Sequence, residues 1–238
     1  MHALRQVLHV FFNLQSFTKY VPDVWAGFQI NLHMMVVAEI LVLVLALLLA
    51  IVRGLPGRAA MPLRVLAIAY TDFFRGTPII IVALFVGFGF PALALGRISS
   101  LSIVTYGVIT LTLVYTAYVT EVYRAGIESI HPSQRAAGRS LGLTYMQTMR
   151  YVIVPQAVRR VIPPLLNDFV GLQKDTALVS VIGVGEAAYQ AQTGSTNSTD
   201  FVPYLIAACF FILITIPLAR FTDHLVAQRE RRERAQAF

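Results

Sequence analysis

The chain has 238 residues, of which 57% are hydrophobic and 13% are charged, and its mean hydropathy is +0.68. Soluble domains carry about 25% charged residues, so this composition excludes a disordered tail, a disulfide scaffold and most soluble enzymes. The chain has nineteen basic and twelve acidic residues, which gives a net charge of +7. In so apolar a chain the excess indicates basic loops at the cytoplasmic face of a membrane rather than nucleic-acid binding. The sequence therefore predicts an all-α integral membrane protein.

Apolar runs predict five transmembrane helices, because a helix needs about 20 apolar residues to cross a bilayer. The predicted spans are residues 34–52, 67–95, 98–120, 151–172 and 201–219. The fourth span contains several charges and three prolines, so its polar face is expected to turn into a helix bundle. Residues 176–184 are too short to cross and are expected to form a re-entrant or interfacial segment.

The basic residues predict the orientation of the chain. One alternating set of loops, within residues 53–64, 124–160 and 220–234, holds fourteen arginines, whereas the other set holds four basic residues. The positive-inside rule therefore predicts an external N-terminus and a cytoplasmic C-terminus. Residues 1–33 lack the pattern of a cleaved signal peptide, and residues 1–26 are expected to form an amphipathic interfacial segment. Residues 27–225 form the predicted membrane domain, and residues 226–238 form an arginine-rich cytoplasmic tail.

Cofactor and nucleotide motifs are missing from the sequence. Cys209 is the single cysteine, which excludes an internal disulfide, and its apolar neighbours predict packing in the core. The five histidines lack the spacing of a metal site. Neither Lys19 nor Lys174 follows a glycine, as a phosphate-binding loop would require. We therefore expect no catalytic residues, no metal and no cofactor on this chain.

The basic stretch 124–150 carries apolar residues at helical spacing. This pattern predicts an amphipathic helix that either rests on the membrane or docks into a groove of a partner protein. Periodicity alone leaves both interpretations open.

Three long motifs between residues 72 and 184 resemble those of a known family. They are DFFRGTPIIIV at 72–82, EVYRAGIESIHPSQRAAGRSLGLTYMQTMRYVIVPQAVRRVIPPLLNDF at 121–169, and LQKDTALVSVIGV at 172–184. The chain resembles, over about residues 22–225, the permease subunit of bacterial ATP-binding-cassette (ABC) importers for polar amino acids.

The resemblance implies the type I importer permease fold, with five transmembrane helices and a cytoplasmic coupling helix, in the bacterial inner membrane. It also implies three protein partners: a second permease subunit, an extracytoplasmic substrate-binding protein, and ATPase subunits that hold ATP and Mg²⁺.

In that family a Glu-Ala-Ala motif followed by a glycine forms the coupling helix that contacts the ATPase. Gly142 matches the glycine, and the three motif positions are then Ala136, Ala137 and Gly138, so the glutamate is absent. Small residues in this helix are expected to allow close approach of the partner, with leucines as anchors. The candidate docking residues are Arg135, Ala136, Ala137, Gly138, Leu141, Gly142 and Leu143.

Charges inside the predicted spans are candidates for a substrate path, because ionisable groups are costly in a membrane. Asp168 lies about 12 Å along a helix from Arg160, and Arg75 lies about 16 Å from Arg64, which puts Asp168 and Arg75 near the midplane of a bilayer about 30 Å thick. Pro163 and Pro164 are expected to interrupt the fourth helix, as Gly76 and Pro78 are expected to interrupt the second.

A zwitterion needs a donor for its carboxylate and an acceptor for its ammonium, and Arg75 with Asn167–Asp168 supplies both. In the family the position matching Asn167–Asp168 lines the translocation path. A structural Arg75–Asp168 ion pair is the alternative. Residues 174–176 are either an external gate or a solvated loop. The candidate path residues are Arg75, Thr77, Asn167, Asp168, Lys174, Asp175 and Thr176.

The predicted function is that of a permease subunit for polar amino acids. Two alternatives remain open at this point. One is the transport of another small solute, such as an opine or a sulfur amino acid. The other is a membrane anchor or channel that performs no coupled transport.

Overall fold

The regular structure is helical throughout the residues that the computed structural model describes, 10–94 and 96–236, and the predicted all-α class is confirmed. The helices are α1 (Leu14–Gly54), α2 (Met61–Gly76), α3 (Ile79–Ala92), α4 (Ile103–Glu128), α5 (Pro132–Ser140), α6 (Tyr145–Thr148), α7 (Val154–Asp175), α8 (Ala187–Ser198) and α9 (Val202–Gln236). A π-helical segment, Phe85–Gly89, lies inside α3, and another, Met149–Ile153, joins α6 to α7. The segments Gly96–Ser100 and Thr176–Ile182 are 3-10 helices.

Helices α1, α4 and α9 are long and apolar enough to cross a membrane, and α2 with α3 makes a fourth candidate if the pair is one broken span. Helix α7 has the length of a span but is rich in charge, with Arg159, Arg160, Asp168 and Lys174 among its 22 residues. A span of this composition requires polar surroundings on one side, such as a neighbouring helix or a water-filled cavity.

The two predicted helix interruptions have different outcomes. The chain does break between α2 and α3, where Thr77 and Pro78 separate the two helices. The predicted interruption at Pro163 and Pro164 is wrong, because α7 runs through both prolines. Each proline removes one backbone hydrogen bond, and the turns on either side keep theirs.

Contacts divide the chain into two compact units. Unit 1 comprises the described parts of Met1–Ile40, Thr77–Leu113 and Val170–Leu218, and unit 2 those of Leu41–Gly76, Val114–Phe169 and Ala219–Phe238. The core of unit 1 is formed by residues from α1, α8 and α9: Tyr20, Val24, Phe28, Ala187, Ala191, Val202, Ile206 and Ala207.

A buried polar network lies in unit 1. The Asn31 side-chain amide donates to Glu186 Oε2 at 2.9 Å and to Thr176 Oγ1 at 3.0 Å, and its oxygen accepts from the Ala187 amide at 3.0 Å. Glu186 caps α8, accepting from the backbone amides of Ala188 and Tyr189 at 2.9 Å. Burying these polar groups is tolerable because their partners are buried with them.

The predicted division of the chain at residues 26 and 226 falls inside helices, since α1 and α9 continue through those positions. Residues 1–9 of the predicted interfacial segment lie outside the described residues. At residues 10–11, the Val10 carbonyl accepts from the Phe201 amide at 2.8 Å, and the Phe11 ring stacks on Phe201 at 5.6 Å.

Cys209 is exposed on α9, so its predicted core packing is wrong.

Candidate functional site

A cavity of about 660 Å³ lies within unit 2, lined by the C-terminal end of α2, the second half of α4 and the polar face of α7. Helical spacing explains how these residues come together, because side chains three, four, seven or eight positions apart share one face. On α7 the lining residues are Arg160, Pro164 and Asp168, four residues apart. On α2 and α4 they are Arg75, Tyr118, Glu121, Val122, Ala125 and Gly126, followed by Ser129 just beyond α4.

Helices α4 and α7, which both line the cavity, pack closely against each other at Gly126. A Cβ atom added at Gly126 would lie 2.1 Å from Val161 Cγ1 on α7. No side chain fits in that space, so glycine permits the close packing of α4 against α7 at this point.

Arg75 and Asp168, predicted from the sequence as path residues, both line this cavity. The Arg75 guanidinium lies 6.0 Å from the centre of the Tyr118 ring, which fits a cation–π contact. Asp168 Oδ2 is buried and has no hydrogen-bond partner in the structure. The ion pairs found in the described chain do not join Arg75 to Asp168. A buried carboxylate oxygen without a donor is costly unless a ligand supplies one.

Arg160 is a lining residue that the predicted set of path residues does not include. Its Nη1 donates to the Ser129 carbonyl at 2.6 Å. Since a guanidinium has five N–H groups, this bond leaves donors that can face the cavity. The spacing of four residues between Arg160, Pro164 and Asp168 is the signal that could have grouped Arg160 with the path residues.

Glu121 also lines the cavity, but both of its oxygens are paired. Oε1 binds the Arg53 guanidinium, and Oε2 accepts from Arg124 Nε at 2.9 Å. Arg124 binds Glu128 as well, one turn further along α4. Glu121 and Arg124 are three residues apart on α4, a spacing that favours such an ion pair. The contribution of Arg53, which also donates to Thr71 Oγ1 at 3.0 Å, was not visible in the sequence because Arg53 is 68 residues from Glu121.

The other predicted path residues lie outside the cavity lining. Asn167 is exposed; it is one residue from Asp168 and so is turned about 100° around α7. Thr77, Lys174, Asp175 and Thr176 belong to unit 1. Thr176 is fully buried and donates to the Gln173 carbonyl at 2.7 Å, while Lys174 is exposed. The proposed roles of these residues in a path or gate stay predictions.

The predicted docking stretch forms helix α5, and its ends follow from the sequence. His131 caps the N-terminus by accepting from the Ser133 amide at 3.2 Å, and Pro132 occupies the first turn, where its missing N–H costs nothing. At the C-terminus the Leu143 amide donates to the Gly138 carbonyl, and the Gly142 amide to that of Arg139. Gly142 has a φ of +79°, the left-handed conformation that this cap requires.

Large apolar side chains are exposed on this segment, beside the exposed Arg135, Arg139 and Arg150. Leu141 is 81% exposed, Met146 is 71% exposed, and Tyr145 and Tyr151 are each more than 60% exposed. Of the other predicted docking residues, Arg135, Ala136, Ala137 and Gly142 are exposed, and Leu143 is partly buried. Gly138 is buried in its own chain, where an added Cβ would lie 2.8 Å from Thr148 Cγ2. Its small size therefore permits internal packing of α5 on α6.

Comparison with curated proteins finds relatives among amino-acid transporters. The chain is 35% identical over 171 residues to the probable glutamine ABC transporter permease protein GlnM of Bacillus subtilis, covering 71% of this chain and 77% of GlnM. It is 33% identical to the arginine transport system permease protein ArtQ of the same organism, over 83% of this chain and 88% of ArtQ. It shares 35% identity with the glutamate transport system permease protein GluC of Corynebacterium glutamicum, over 83% of this chain and 90% of GluC.

Solved structures give the same fold. A chain from the crystal structure of an amino acid ABC transporter with histidines matches with a TM-score of 0.82 and 31% identity, over 92% of this chain and 98% of that one. A chain of the methionine ABC transporter MetNI, in an inward-facing conformation, matches with a TM-score of 0.64 and 19% identity. The match covers 88% of this chain and 95% of that one, so the two share the fold. The family model for the binding-protein-dependent transport system inner membrane component matches residues 43–231. The chain therefore belongs to this family of membrane components of binding-protein-dependent transport systems.

Proposed function

We propose that the chain is the permease subunit of an ATP-driven importer of polar amino acids and that the cavity of unit 2 is its substrate site. The observation that carries the proposal is the meeting of Arg75, Arg160 and the unpartnered Asp168 in one cavity. An amino acid presents an ammonium to Asp168 and a carboxylate to a guanidinium, both as charge-assisted hydrogen bonds. The glutamine, arginine and glutamate transport proteins among the relatives support this substrate class.

The coupling segment, residues 132–151, is the proposed contact with the ATPase. Its exposed Leu141, Tyr145 and Met146 form an apolar surface of the kind that enters a groove on a partner protein. ATP and Mg²⁺ belong to that partner in this proposal, and this chain binds no cofactor, performs no catalysis and hydrolyses no ATP. The supporting observation is the absence of a Gly-Lys-Ser/Thr phosphate loop from the sequence.

We propose five spans in the bacterial inner membrane, with the N-terminus outside and the C-terminus in the cytoplasm. The span added to the four candidates α1, α2–α3, α4 and α9 is α7, whose 22 residues give about 33 Å of helix, enough to cross the hydrocarbon core. The proposed partners besides membrane lipid are a second permease subunit, two ATPase subunits and an external binding protein. Five helices enclose little space, so two permease subunits are expected to surround the path.

Asp168→Asn tests the substrate site, because it removes the charge and keeps the size. In proteoliposomes that contain the assembled complex and the loaded binding protein, we expect ATP-driven uptake to fall about tenfold to hundredfold, the value of one charge-assisted hydrogen bond of roughly 1.5–3 kcal/mol. Asp72→Asn is the matched control, since Asp72 is exposed on α2 outside the cavity lining.

Assembly is checked separately by co-purification of the ATPase subunits with each variant. Wild-type uptake by an assembled Asp168→Asn complex would remove Asp168 from the site. Failure of the wild-type chain to bind any ATPase subunit would contradict the importer function itself.

A further inference from the structure

The charges that line the cavity of unit 2 do not balance. Glu121 already has two arginine partners, Arg53 and Arg124, neither of which lines the cavity. The ionisable groups that remain for a ligand are Arg75, Arg160 and Asp168. The cavity thus offers a ligand two cations and one anion.

A simple zwitterionic amino acid uses one cation and one anion. Its ammonium pairs with Asp168 and its α-carboxylate with one arginine, which leaves the second guanidinium facing the ligand without a negative partner. An amide side chain gives this guanidinium only a neutral oxygen. A cationic side chain would put a second unpaired positive charge beside this guanidinium, which is unfavourable where water is displaced.

We infer that the site selects an amino acid that carries a second acidic group, two carboxylates and one ammonium in all. The inference rests on the proposed substrate site and names the class of substrate that it takes. Such a ligand satisfies Arg75, Arg160 and Asp168 together. A cavity of about 660 Å³ is within the range of small-molecule sites and accommodates a molecule of this size.

The positions of the three groups assign their roles. The ammonium and the α-carboxylate are attached to one carbon atom of the ligand, so their partners must lie close to each other. Arg160 and Asp168 are two turns apart on α7, about 12 Å between their Cα atoms. We therefore assign Arg160 to the side-chain carboxylate at the far end of the ligand, which leaves Arg75, from α2, for the α-carboxylate.

Direct binding tests the inference without the binding protein, which would impose its own selectivity. The permease with its ATPase subunits is placed in lipid nanodiscs, and radiolabelled L-glutamate is displaced by unlabelled L-glutamate, L-glutamine or L-arginine. We expect L-glutamate to bind at least tenfold more tightly than L-glutamine and L-arginine. In Arg160→Gln the ratio of L-glutamate to L-glutamine affinity should fall to near one.

Arg159→Gln is the matched control, because it removes the same charge from the neighbouring residue, outside the cavity lining; it should keep the preference for L-glutamate. Equal or tighter binding of L-glutamine or L-arginine by the wild-type complex would overturn the acidic class while leaving the proposed amino-acid site in place. If none of the three amino acids binds, the cavity is not the substrate site, and the proposed site fails with the inference. An unchanged preference in Arg160→Gln would also overturn it.

Discussion

Gly126 on α4 and Val161 on α7 are packed so closely that an added Cβ atom at residue 126 would lie 2.1 Å from Val161 Cγ1. Both residues adjoin the charged face of the cavity, since Arg160 precedes Val161 and Ser129 is one turn beyond Gly126. The separation of α4 and α7 at this point sets the distance across which Arg160 donates to the Ser129 carbonyl.

Gly126→Ala is therefore expected to destabilise the protein. Val161 is β-branched and stiff, so the added methyl group forces it from its rotamer or pushes the helices apart, at a cost of about 1–3 kcal/mol. Thermal unfolding of the purified protein measures the loss. Gly89→Ala is the control, because Gly89 has no atom within 4 Å of an added Cβ. Equal unfolding temperatures for the two variants would contradict the packing.

A second prediction concerns the cap of α5. Gly142→Ala puts a Cβ into the left-handed conformation at a φ of +79°, which costs about 1–2 kcal/mol. The strain loosens the turn that holds Leu141 and Leu143 at the end of the helix. We expect the loaded binding protein to stimulate ATP hydrolysis about fivefold to thirtyfold less strongly in the reconstituted complex.

Gly57→Ala separates coupling from backbone strain in general. Gly57 has a φ of +90° and nothing within 4 Å of an added Cβ, so alanine there suffers the same strain in the loop between α1 and α2. Stimulation of ATP hydrolysis should stay near the wild-type value in this control. A similar loss in both variants would indicate that the cap of α5 has no special part in coupling.

Local chemistry made much of this structure predictable. Pro132 at the start of α5 and Gly142 just after its end are helix signals that can be read from a few neighbouring residues. The break between α2 and α3 likewise follows from Gly76 and Pro78. The same reasoning was wrong at Pro163 and Pro164, because the helical turns on either side of a proline in a long helix can keep the helix continuous.

The site was predictable only in part. Asp168 and Arg75 were found because a charge in an apolar span is conspicuous. The pairing of Arg53 with Glu121 was not, since it joins residues 68 positions apart, and no local pattern signals such a contact. In the proposed substrate site this pairing neutralises Glu121, so that Arg75 and Arg160 are the lining cations without a carboxylate partner.

A third prediction tests the orientation of the chain. In a Cys209→Ser background, Asn197→Cys on α8 and Ser133→Cys on α5 each place one thiol at an exposed position. The positive-inside rule puts residue 197 outside and residue 133 in the cytoplasm. In intact cells an impermeant thiol reagent should label the first variant and leave the second unlabelled until the membrane is opened. The opposite pattern would reverse the proposed topology.

The last prediction concerns the buried network that joins α1 to the start of α8. Three N–H groups donate to the two oxygens of Glu186: the Asn31 side-chain amide, and the backbone amides of Ala188 and Tyr189. In Glu186→Gln an NH₂ group must replace one of these oxygens and face at least one donor, so a buried N–H loses its acceptor at a cost of about 1–3 kcal/mol. We expect a lower unfolding temperature for this variant, and little change for Glu128→Gln, where the same substitution is made at an exposed side chain. If the two variants unfold alike, the contacts of Glu186 contribute nothing to the stability of the fold.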